Sequence, residues 1–128
     1  MCTGAMVKFD HMSLPVVDAR RSRDWYIANL GFKVEFEVPE HRTVALQDDD
    51  GFTIFLHDAQ VPREGARCSL TLQVTDVEAA YRSLVARGVH VEHAPQKLPW
   101  GYGAEVRDPD GYVLRLWDAV SMREKGGT

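Results

Sequence analysis

The chain has 128 residues, 45% hydrophobic and 27% charged, enough for one compact domain with a core and too short for two full-sized ones. Lys and Arg number 15 against 19 Asp and Glu, a net charge of −4, so the basic footprint of a nucleic-acid binder is missing. Nothing approaches the run of ~18 apolar residues that a membrane helix requires, and the start MCTGAM lacks the features of a signal peptide, which reads as a cytoplasmic protein with no membrane or nucleic-acid partner.

Residues 1–6 read as a tag or an unstructured terminus, and the two cysteines, Cys2 and Cys68, form neither a C-x-x-C pair nor a disulfide framework. From residue 7 onward the same order of signals occurs twice. The first half, about 7–59, predicts a strand from Phe9 to Val16, an Asp18 cap, a helix ended by Gly31, and a strand to Val38. Val44 to Gln47, the turn Asp49-Asp50-Gly51 and a strand Phe52 to Asp58 complete it. In the helix, Trp25, Tyr26, Asn29 and Leu30 mark the buried stripe, while Arg20, Arg21 and Arg23 read as solvated surface. Gln60 to Arg67, with Pro62 and Gly65, reads as a linker.

The second half, about 67–119, predicts a strand Ser69 to Val74, an Asp76 cap and a helix whose Val77, Ala80, Tyr81, Leu84 and Val85 fall on one face. Gly88 ends it, Val89-His90-Val91 follows, and Ala104 to Arg107, the turn Asp108-Pro109-Asp110-Gly111 and Tyr112 to Asp118 close the set. Each half is therefore βαβββ, residues 7–119 form one domain of two such modules, and 120–128 reads as an unstructured tail.

Side chains on a strand alternate between faces. Met12, Leu14, Ile54, Leu56, Leu70, Leu72, Val74, Leu114 and Leu116 share parity and give one aliphatic face for the helices to cover. The opposite parity collects His11, Ser13, Thr53, Phe55, His57, Ser69, Thr71, Gln73, Val113, Arg115 and Trp117. A solvated face would carry Lys and Glu, whereas aromatic walls with a few polar groups suit a pocket or a dimer contact.

The segments LPVVDARRSRDWYIANLGFKV, LQVTDVEAAYRSLVARGVHVE and VRDPDGYVLRLWD resemble the vicinal oxygen chelate superfamily, which includes glyoxalase I, extradiol dioxygenases and bleomycin-resistance proteins. The resemblance implies an α+β fold of two tandem βαβββ modules whose curved mixed sheets form a cleft, helices outside, commonly as a homodimer. It also implies four metal-ligand positions, which here fall on His11, Phe55, Ser69 and Arg115. Only His11 fits, and a guanidinium repels a cation, so neither a metal nor another cofactor is expected. His57 shares parity with His11, yet no third ligand does, and Cys68, His41, His90 and His93 lie elsewhere.

What remains is Arg115 as a fork of donors for a carboxylate, phosphate or carbonyl, with Phe55 and Trp117 for stacking. Leu98-Pro99-Trp100-Gly101-Tyr102-Gly103 reads either as a simple turn with a packed Trp or as an aromatic lid with glycine hinges. The expected ligand-binding set is His11, Ser13, Phe55, His57, Ser69, Thr71, Trp100, Tyr102, Arg115 and Trp117. The resemblance favours a metal-independent binding protein that sequesters a planar or aromatic small molecule. The alternative is a metal-free lyase or isomerase with His11 or His57 as general base and Arg115 stabilising an anion.

Overall fold

In the computed structural model, which describes residues 8–60 and 68–127, the chain divides into two units, 1–60 and 61–128. The expected leader 1–6 and nearly all of the expected linker lie outside the described residues. The first unit runs β1 (Met12–Val16), α1 (Ala19–Leu30), β2 (Lys33–Val38), a 3₁₀ turn (Pro39–His41), β3 (Thr43–Gln47) and β4 (Thr53–Asp58). The second runs β5 (Ser69–Gln73), α2 (Val77–Ala86), β6 (His90–Leu98), β7 (Gly101–Arg107), β8 (Val113–Trp117) and α3 (Ala119–Lys125). Each unit holds one four-stranded sheet, ordered β1-β4-β3-β2 and β5-β8-β7-β6, with a parallel first pair and antiparallel neighbours after it.

The two registers repeat: Leu14 pairs with Leu56 as Leu72 pairs with Leu116. The local chemistry repeats too. Asp18 and Asp76 cap α1 and α2 by accepting from backbone amides of the first turn. Asp58 and Asp118, at the ends of the last strands, reach back and accept from the amides of Ala19 and Val77, each at 2.7 Å. In the turns before β4 and β8, Asp48 Oδ1 accepts from Asp50 and Phe52, and Asp108 Oδ1 from Asp110 and Tyr112. Gly51 and Gly111 sit at φ 86° and 89°, a left-handed conformation that a Cβ disfavours, which is why each turn ends in Asp-Gly.

Alternation then sorts the side chains. Leu14, Ile54 and Leu56 are buried under α1, which packs on β3 and β4. Leu70, Leu114, Leu116, Ala104 and Val106 are buried in the second unit, where α2 packs on β6 and β7. A fully buried leucine stabilises by about 1.5–3 kcal/mol, so these faces carry much of each unit's stability.

Three expectations are corrected. The first strand starts at Met12 rather than Phe9, whose ring is exposed. The stripe of α1 is Ala19, Ser22 and Tyr26, with Trp25, Asn29 and Leu30 only half-buried. The tail expected from 120 onward is helical through Lys125: Asp118 caps α3 through Ser121, and α3 packs on β7. None of the helices among the described residues is long and apolar enough to cross a membrane.

Candidate functional site

On the open face of the second sheet, register sets a row of side chains. Thr71 on β5 lies beside Arg115 on β8, Arg115 beside Glu105 on β7, and Glu105 beside His93 on β6. Arg115 Nε donates to Glu105 Oε2 at 3.1 Å, and the indole Nε1 of Trp100 donates to the same oxygen at 3.0 Å. His93 Nε2 stands 3.8 Å from the other carboxylate oxygen. The Arg115 guanidinium carbon lies 5.9 Å from the centre of the Trp100 ring, within reach of a cation–π contact. Glu105 thus ties an arginine and a tryptophan into one rigid group, its side chain only 14% exposed.

Trp100 reaches this position because Gly103 lets it. A Cβ on Gly103 would collide with the Leu116 carbonyl and come within 2.5 Å of the Trp100 ring, so the indole lies against bare β7 backbone. Gly101 is bare for the same kind of reason, since a Cβ there would collide with the Met122 thioether of α3. The C-terminal end of α3 is held where Lys97 Nζ donates to the carbonyls of Gly126, at 2.7 Å, and Gly127, and Lys125 Nζ stands 5.1 Å over the Tyr102 ring. At the other end, burial alone would raise the Asp118 carboxyl, but bonds from Val77, Ser121 and Val120 hold it below its usual range. Thr71, Trp100, Arg115, Trp117 and Met122 together line a pocket of ≈ 260 Å³.

Four residues of the expected set, Thr71, Trp100, Arg115 and Trp117, are therefore brought together. Ser69 opens β5 on the same face, exposed beside Val113. Tyr102 does not join them: alternation along β7 sends it to the helix side, where its hydroxyl donates to Glu78 of α2 at 2.9 Å. Burial and that carboxylate together raise its phenol above the ordinary range. Of the two readings of Leu98–Gly103, the structure has the turn with a packed Trp: β6 runs to Leu98, β7 starts at Gly101, and both glycines sit in strand. Glu105 and Met122 were missed. The alternation Ala104-Glu105-Val106-Arg107 marks Glu105 as facing away from the core, whereas Met122 lies in the segment read as a tail.

The open face of the first unit is built differently. The His11 ring stacks on Phe55, with centroids 3.8 Å apart and planes 13° apart, and Phe36 of β2 meets Phe55 edge-on at 5.5 Å. His11 Nδ1 pairs with the Asp10 carboxylate at 2.9 Å. Ser13 is exposed beside Phe55, and His57 is half-buried opposite Thr43. A pocket in this unit, ≈ 330 Å³, lies among Asp18, Arg20, Glu37, Arg42 and Asp58, and none of the expected site residues lines it. Its acids are committed to holding the fold: Asp18 and Asp58 bind amides of α1, and Glu37 pairs with Arg23. The larger pocket is thus a charged crevice with no aromatic wall.

Of the four positions where the superfamily resemblance implies metal ligands, His11 offers an imidazole, Ser69 a hydroxyl, Phe55 nothing and Arg115 a cation. This donor set does not fit a divalent ion. Among the described residues, moreover, three or more His, Cys, Asp or Glu side chains nowhere gather in a way that could hold one.

A βαβββ module used twice, with an Asp-Gly turn before each last strand and chemistry-bearing side chains on the uncovered sheet face, defines an α+β protein of the vicinal oxygen chelate class. The chain belongs to the Glyoxalase/Bleomycin resistance protein/Dioxygenase superfamily, whose profile matches residues 8–116. It is similar to TnmS3, an antibiotic binding protein from Streptomyces sp. CB03234, at 30% identity and a TM-score of 0.76 over 91% of this chain and 98% of that one. A superfamily member from Sphaerobacter thermophilus DSM 20745 is 26% identical, with a TM-score of 0.76 over 89% of this chain and 99% of its own. TioX from Micromonospora sp. ML1, 24% identical, shares the fold with a TM-score of 0.66 over 84% of this chain and 97% of that one. No curated protein sequence matches the chain.

Proposed function

We propose that this chain sequesters a planar or aromatic small molecule, without a metal, on the open face of its second sheet. The observation that carries this reading is the pocket between Trp100, Trp117, Arg115, Thr71 and Met122. Two indoles provide flat apolar area, Arg115 and Thr71 provide hydrogen-bond donors, and Met122 supplies an adaptable wall. The lining contains neither imidazole, carboxylate nor thiol, so it is equipped to hold a ligand rather than to move its protons or attack it. The likeness to TnmS3, itself an antibiotic binding protein, supports the same reading. We further propose that the protein is cytoplasmic and works as a homodimer.

The test is a thermal-shift and tryptophan-fluorescence screen with bleomycin, an anthracycline and a fluoroquinolone, before and after dialysis against EDTA. A ligand held at ~100 times its dissociation constant raises stability by about 2.7 kcal/mol, and the shift is expected to be the same in EDTA. A panel that leaves the melting temperature unmoved, or a shift that EDTA abolishes, overturns the reading.

A further inference from the structure

The charge state of the pocket narrows what it accepts. Arg115 faces the pocket, but its Nε is bound by Glu105, which lies behind it and contributes nothing to the lining. One positive and one negative charge at 3.1 Å largely cancel as seen by a ligand, and His93, 3.8 Å from the other oxygen of Glu105, adds charge only when protonated. Arg115 still has terminal N–H donors, and no hydrogen bond from them is found among the described residues. Resting on the ligand-binding reading above, we propose that Glu105 is a specificity-determining residue that makes the site select an uncharged aromatic carbonyl compound over its anionic counterpart.

The chemistry runs as follows. A carbonyl oxygen needs donors and no counter-charge, and Arg115 offers donors beside two stacking surfaces. A carboxylate would have to shed its water for a guanidinium whose attraction Glu105 already satisfies, and it would feel Glu105 as a like charge. Pulling Arg115 toward such an anion would also break the bond at Nε, and Trp100 hangs from the same carboxylate oxygen. Glu105 therefore acts through Arg115 and Trp100 as a positioning residue.

Two probes of equal shape test this: 2-naphthamide, uncharged, and 2-naphthoate, anionic. Tryptophan quenching is titrated with each against the wild-type chain and the Glu105→Gln variant, which keeps an acceptor for the indole and removes the charge. The wild type is expected to bind the amide at least as tightly as the carboxylate. In Glu105→Gln the carboxylate is expected to gain roughly tenfold relative to the amide, and to lose that gain at high salt. A wild type that prefers naphthoate, or a ratio unchanged in the variant, overturns the proposal while leaving the pocket as a ligand site. Failure of both probes to bind the wild type overturns the ligand-site reading and this proposal with it. The wild-type ratio decides on its own if the variant does not fold.

Discussion

Arg115 and Leu116 are neighbours in sequence and opposites in consequence. Leu116 is fully buried, so Leu116→Ala removes packed methyl groups and is expected to cost about 2–5 kcal/mol. The Arg115 side chain is 38% exposed, and its ion pair is worth less than about 1 kcal/mol once water screens it. Arg115→Ala is therefore expected to leave stability within about 1 kcal/mol of the wild type while weakening the binding of any carbonyl ligand. Paired denaturation curves and ligand titrations check this, and a variant that loses its fold at Arg115 but tolerates Leu116→Ala would invert the assignment of faces. The parity that separates the two is visible in the sequence, because VLRLW alternates without interruption. The partner of Arg115 is harder to see. Register determines that Glu105 is the residue beside it, and register depends on where the β7–β8 turn begins.

Among the elements, α3 is the one whose loss would reshape the site, because Met122 is both a pocket wall and the cover of Gly101. Its seven residues are too few to be stable alone, and composition gives little reason to expect a helix there. Asp118 makes it possible, since one carboxylate serves two helix starts: it accepts from Val77 at the head of α2 and from Ser121 at the head of α3. The caps at Asp18 and Asp76 were legible because each is a local pattern, and so was the stripe of α2 at Val77 and Leu84, although Val85, expected on the same face, is exposed; the double role of Asp118 depends on a contact 41 residues away. The β6–β7 turn was blurred because Pro99, Gly101 and Gly103 read as a turn or a lid, although Gly101 and Gly103 lie within β7. Asp118→Ala, leaving the buried amide of Val77 and the half-buried amide of Ser121 without an acceptor, is expected to cost about 2 kcal/mol or more. Because the folded carboxyl sits below its ordinary value of 3.8, its contribution is complete above that pH and is lost as the pH falls through and below it. The wild type should thus lose stability in this acid range, and Asp118→Asn should lose less over the same range, as read from melting temperature against pH. Parallel curves for the two would remove Asp118 from the acid transition.

At the scale of the whole molecule, the repeat was readable because both halves carry the same short-range signals in the same order, and the hydrogen bonds of the two Asp-Gly turns match closely. Each unit covers one face of its sheet with a helix and leaves the other open, and in the first unit that open face is aromatic. Phe36, at 42% exposure, continues the Phe55–His11 stack to the edge strand β2. Modules of this size bury only about 60% of their unfolded surface and are marginal without further burial. Apolar rings gathered on a sheet face and its edge are the kind of surface a second copy covers. The chain is therefore expected to sediment at twice its 14.4 kDa mass at micromolar concentration. Association of folded chains also stabilises by mass action, so the melting temperature is expected to rise with protein concentration. A single species of 14.4 kDa at high concentration, with a melting temperature independent of dilution, would mean that these rings are tolerated in water and that the ligand site is complete in one chain.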